Sequence, residues 1–182
     1  MNWLSPDREC RYPNLRAHGY KVTSEDTINK IVRYNCVALA AEDQKAWWEP
    51  STVNSKPVKK PGRHWPDGIP TDGSLASYIM LFELLGYKKC ESPKVEIFYE
   101  KIALYGYPED AFAHVAYQLY FGWISKLGEW EDIKHRTLEA LESDDYGEVK
   151  VFMKRRCALR GFLARAFFNQ TSRFWSTRRR GA

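Results

Sequence analysis

Apolar residues in this chain follow two different periods, and the change falls at Gly86. Before it, Leu75, Tyr78, Ile79, Phe82 and Leu85 recur at three- and four-residue spacing behind the capping run Thr71-Asp72-Gly73-Ser74, which predicts a helix closed by Gly86. After it the apolar residues bunch. Phe98 to Tyr105, centred on Ile102, Ala103 and Leu104, reads as a buried strand, and Phe112 to Tyr120 and Trp123 to Leu127 read as two more joined through Gly122. Trp130 to Leu141 is expected as a helix, and Gly147 to Met153 as a last strand.

Upstream the pattern is weaker. Residues up to Tyr20 mix Pro6, Pro13 and Gly19 with polar side chains and read as an irregular arm. Thr23-Ser24-Glu25-Asp26 has the composition of a cap and predicts a short helix or turn through Ile28, Ile31 and Val32. A helix opening at Cys36 is expected to run to about Trp47 or Trp48, where Pro50 ends it. The prolines between Pro50 and Gly73 mark a long surface loop. Helices followed by mostly antiparallel strands define an α+β layout.

Charge divides the chain in two. The net charge is +5, yet from Lys154 onward there are nine basic residues and no acidic one, so the body is net acidic and the basic character belongs to the tail. This places one α+β domain over residues 1–156 and a basic amphipathic tail over 157–182. In the tail Leu159, Phe162, Leu163, Ala166 and Phe167 follow helical spacing, flanked by Arg160 and Arg165. Such a stripe fits docking on the chain's own body, an anionic membrane surface or a partner protein. Nucleic acid ranks last, because the basic residues alternate with core-type Phe.

No apolar run approaches the roughly 20 residues of a membrane span, and the first residues lack a signal-peptide layout. A cytoplasmic location is the expectation, with non-classical export left open. The four cysteines, Cys10, Cys36, Cys90 and Cys157, are far apart, so neither a metal nor a disulfide framework is expected, and no cofactor is implied.

The chemistry concentrates in Tyr34-Asn35-Cys36-Val37-Ala38 and Ala113-His114-Val115-Ala116. A thiol directly after a helix-capping Asn meets unpaired backbone N–H groups and the positive end of the helix dipole, which favour the thiolate. An imidazole on a later strand can then serve as its base. Ser125, with Gln118 and Lys126 behind it, is the expected group to orient His114, and the Cys36 N–H the expected oxyanion donor. Tyr34, Asn35, Gln118, Trp48 and Trp65 are the expected substrate-binding surroundings. His64 and His135, the latter placed on the expected Trp130–Leu141 helix, are expected to be exposed.

Taken with Tyr12-Pro13-Asn14-Leu15, Trp47-Trp48, His64-Trp65-Pro66, Leu85-Gly86-Tyr87, the run Glu100 to Tyr105 and Ser125-Lys126-Leu127-Gly128, these motifs resemble an uncharacterised bacterial domain family of unknown function, from about Tyr12 to Arg155. The order of a cysteine helix, a spacer helix, a strand, a His-Val-Ala strand and a polar third strand also resembles the NlpC-type papain-like superfamily of cell-wall peptidases, amidases, acyltransferases and deamidases. That resemblance implies a papain-like fold with N-terminal helices packed on the sheet, Cys36 as nucleophile, His114 as base and Ser125 in the third polar position. The superfamily carries Asp-Cys-Ser-Gly where this chain has Asn35-Cys36-Val37-Ala38, and His, Asn or Gln where it has Ser125. The resulting expectation is a cysteine hydrolase or acyl-transfer enzyme acting on an amide or ester of a protein or peptide. An effector that modifies another protein would share this chemistry. The alternative is an inactive papain-like module that binds a protein or an anionic membrane through its tail.

Overall fold

The computed structural model describes residues 3–24, 34–50 and 62–157, with the backbone of 52–53 and 56–57 between them. The expected turn through Ile28, Ile31 and Val32 and the amphipathic tail lie outside the described residues.

Two helical turns, α1 (Pro6–Glu9) and α2 (Leu15–His18), precede strand β1 (Tyr20–Val22), so the arm expected to be irregular is largely ordered. Helix α3 (Cys36–Ala40) is followed by four two-residue strands, β2 (Trp47–Trp48), β3 (Thr52–Val53), β4 (Lys56–Pro57) and β5 (Arg63–His64). Helix α4 (Leu75–Leu84) leads into β6 (Lys88–Cys90), β7 (Tyr99–Gly106), β8 (Phe112–Gln118), β9 (Trp123–Lys126) and β10 (Asp132–His135). A 3-10 turn (Glu139–Leu141) and β11 (Glu148–Arg156) complete the chain.

Seven strands form one sheet in the order β1-β10-β9-β8-β7-β11-β6, with every neighbouring pair antiparallel. Both faces are covered, which is why β7 and β8 read as near-continuous apolar runs rather than as alternating ones. One face, carrying Ile102, Leu104, Val115, Tyr117 and Met153, packs on α3 and α4. The other, carrying Ala103, Tyr105, Ala116 and Ile133, is covered by Leu4, Tyr12 and Leu15 from the N-terminal arm and by Leu138 to Leu141.

The helix at 75–84 forms as its period and its Ser74 cap predict, the Ser74 hydroxyl accepting from the Ser77 N–H at 3.1 Å. Gly86 ends it at φ +87°, a conformation that costs a glycine nothing. Two expectations fail. The helix expected over Trp130–Leu141 is strand β10 and a 3-10 turn. Asp132 to His135 pair with β9 on one side and with β1, far away in sequence, on the other, and these ladders outweigh a local helical spacing. Helix α3 stops at Ala40 instead of reaching Trp47, because Glu42 turns into the left-handed region at φ +59° and the Asp43 N–H returns to the Ala38 carbonyl at 2.8 Å.

Candidate active site

Asn35 fixes the start of α3 and its surroundings together. Its side-chain oxygen accepts from the Ala38 N–H at 3.1 Å and the Trp48 N–H at 3.2 Å, while its Nδ2 donates to the Trp48 carbonyl at 2.7 Å. A cap and a strand anchor are thus one residue. Trp48 is held against α3, its ring tilted on His64 with centroids 4.3 Å apart and its Nε1 donating to Asp43 at 2.8 Å. His64 is exposed, as expected. Tyr34 donates to Asp132 at 2.7 Å and receives the Lys126 ammonium over its ring. Trp65 donates to the Ile69 carbonyl at 3.2 Å and meets Tyr78 edge-on. Tyr34, Cys36, Trp48 and Trp65 therefore share one apolar cluster.

Cys36 is the first residue of α3 and is buried. Backbone hydrogen bonding from Val115, Val37 and Cys36 itself draws the thiol toward ionisation, but burial is stronger and pushes it up to about 11. The expectation of a readily ionised thiol is corrected on this point: a five-residue helix has little dipole, and desolvation prevails.

His114 lies one residue before Val115 on β8, yet its ring belongs to the opposite face. It stacks on Tyr146 with centroids 4.2 Å apart and planes 11° from parallel, and meets Tyr105 edge-on at 5.5 Å. The imidazole is fully buried and neither ring nitrogen has a hydrogen-bond partner, so no Cys36–His114 bond exists in this conformation. Burial, with nearby His135 adding to it, lowers its pKa well below the ordinary histidine value.

Ser125 does not orient His114. Its hydroxyl lies 2.9 Å from Nε2 of His135, whose Nδ1 lies 2.7 Å from the Thr137 carbonyl. A carbonyl only accepts, so Nδ1 carries the proton and Nε2 accepts from Ser125. His135, expected to be exposed, is buried on β10, and burial brings its pKa down to about 4. Gln118 is also removed from the site: it sits at the far end of β8 and donates to the Pro93 carbonyl.

Beside this cluster opens a cavity of about 330 Å³ lined by Arg11, Tyr12, Leu127, Gly128, Glu129, Trp130, Asp145 and Tyr146. Arg11 forks onto Asp145 at 2.6 and 3.0 Å, and Arg8 and Arg11 both lie over Trp130. The Tyr12 and Tyr146 ring centroids lie 5.1 Å apart with planes tilted 37°, and burial pushes both hydroxyls above the ordinary tyrosine value. Tyr146 thus touches both the cavity and the ring of His114. Sequence reasoning missed it, since a tyrosine in the polar turn Asp144-Asp145-Tyr146-Gly147 carries no periodic signal.

The architecture is that of a mixed α+β domain built on a mostly antiparallel seven-stranded sheet. Its family is a domain of unknown function, DUF7689, whose model matches residues 21–154, and the chain belongs to that family. No curated protein and no solved structure matches it.

Proposed function

We propose that this domain is a cysteine hydrolase or acyl transferase of papain-like type, resting in a closed state in which Tyr146 covers the His114 ring. The observation that carries the reading is the His114 ring. An imidazole with both nitrogens buried and unpaired costs about 1–3 kcal/mol for each polar atom, a cost that calls for a compensating role such as catalysis. Its neighbour Val115 packs in the same cluster as Cys36, and its backbone favours the ionised thiol. Catalysis requires Tyr146 to leave the stack and β8 to rearrange locally, because the His114 ring now lies on the face of the sheet opposite the thiol.

The reaction then follows from the groups present. The thiol proton passes to His114 as sulfur bonds to an amide or ester carbonyl carbon, and the Cys36 N–H faces the developing oxyanion. The carbon–nitrogen or carbon–oxygen bond breaks as His114 returns the proton to the leaving amine or alcohol, and water or an amine releases the acyl group from sulfur. Tyr34, Trp48 and Trp65 belong to the same apolar cluster as the thiol.

The test is iodoacetamide labelling with all four cysteines mapped. Cys36 in the folded protein is expected to label slowly. Tyr146→Ala should raise its rate at least tenfold, with an inflection below pH 8, and adding His114→Ala should remove the gain. A gain that survives His114→Ala reflects exposure alone, and Cys36 labelling unchanged by Tyr146→Ala removes the gate; either overturns the reading. The raised thiol favours a second reading, a binding module without catalysis, which those two outcomes would support.

A further inference from the structure

The end of the sheet remote from Cys36 and His114 exposes apolar side chains that the thiol chemistry does not use. Tyr120 and Phe121 form the tip of the β8–β9 hairpin, closed by the Leu119 N–H on the Gly122 carbonyl at 2.9 Å, and Phe121 is 72% exposed. Antiparallel pairing of β7 with β8 brings the residues before Tyr99 beside this tip, and the Gln118 bond to Pro93 ties the two loops together. Val95, Ile97 and Phe98 are exposed there as well. Phe98 holds φ +65°, a backbone conformation that bulky side chains rarely adopt.

Charge identifies the occupant. Lys88, Lys89, Lys94 and Arg156 are exposed around these loops against the exposed acids Glu83 and Glu91, while Glu96 is engaged by Lys101 at 2.6 Å and Lys154 at 2.7 Å. The chain leaves this same end: the Cys157 N–H donates to the Phe98 carbonyl at 2.8 Å. Residues 158–182 then carry six arginines and no acid, interleaved with Phe162, Phe167, Phe174 and Trp175. A tail of the same sign as the rim is repelled by it. An anionic surface attracts both, and an interfacial layer receives the aromatic rings.

We infer that this end of the sheet is a docking surface for an anionic lipid bilayer, with the Tyr120–Phe121 tip and the Val95–Phe98 loop entering the interface and the basic rim contacting headgroups. The inference stands independently of the thiol chemistry.

Sedimentation of the full chain with vesicles of 30% phosphatidylglycerol in phosphatidylcholine, and with phosphatidylcholine alone, tests it. Binding is expected to the anionic vesicles, to weaken steeply with salt, and to be at least tenfold weaker on neutral ones. Ile97→Ser with Phe121→Ser changes two exposed positions, so folding, checked by circular dichroism, should persist while affinity falls at least tenfold. No sedimentation with anionic vesicles overturns the inference. So does wild-type affinity in the double variant, which would leave only the tail. A concentration-dependent dimer of the free protein that the double variant abolishes would assign the patch to a second copy and overturn it too.

Discussion

Tyr146 lies face to face on His114, ring centroids 4.2 Å apart. The ring and its hydroxyl can be separated. Tyr146→Phe keeps the aromatic seal and loses only the hydroxyl, so stability should change by less than about 1 kcal/mol with Cys36 labelling at the wild-type rate. Tyr146→Ala should lose about 3 kcal/mol as the ring's packing goes. Urea denaturation beside iodoacetamide kinetics checks both.

Stability should decline on mild acidification. His114 and His135 have lowered pKa values in the folded state, so the unfolded chain binds more protons. Their contribution is complete above the ordinary value of 6.5 and drains away as pH falls toward about 4, the folded value for His135. His135 alone accounts for about 2 kcal/mol between pH 7 and 5. Urea midpoints across that window should show the loss, and His135→Gln should flatten the curve, since glutamine does not titrate there.

Asn35→Ala should cost about 2 kcal/mol, because it removes the α3 cap together with both bonds to Trp48. Asn35→Asp keeps the accepting oxygen and loses the donor to the Trp48 carbonyl, so it should fall between. Intrinsic tryptophan fluorescence during denaturation reads both the stability and any release of Trp48.

Arg155 joins three elements. It is paired with Glu100 on β7, donates to the Leu85 carbonyl at the end of α4 at 3.2 Å, and lies over the Tyr87 ring. Arg155→Met takes the cation from the buried Glu100 carboxylate, which keeps the Tyr117 hydroxyl at 2.8 Å, and should cost about 3 kcal/mol, while pairing it with Glu100→Gln should recover part of the loss. Calorimetry on the two single variants and the double variant measures the coupling.

Gly122→Ala should destabilise by about 2 kcal/mol or more. A Cβ there would stand 2.5 Å from the His135 carbonyl oxygen on a backbone at φ +89°. Thermal melts of the variant give the value.

The legible parts of the sequence are those whose partners lie nearby or whose burial is complete. Helix α4 has its own cap and stripe, and β7, β8 and β11 are apolar enough to read as strands. Strand β10 is not legible, because Trp130, Ile133, Leu138 and Leu141 imitate a helical spacing and the pairing that decides the matter reaches back to Tyr20. A helix running on to Trp48 would place it about 20 Å from Asn35. The fold instead returns Trp48 to within 2.7 Å, through a left-handed turn at Glu42 that no sequence rule marks. At the site, the Asn35 cap and the position of Cys36 are readable. The face on which His114 lies and the pairing of Ser125 with His135 are not, since both follow from register across strands.

The sheet ends on two strands of only three residues each, Tyr20–Val22 and Lys88–Cys90, and the second presents Lys88 and Lys89 outward. A three-residue edge offers too few free amides and carbonyls to template a foreign chain, and paired ammonium groups repel an identical neighbour. Growth by adding strand to strand is therefore disfavoured at that border.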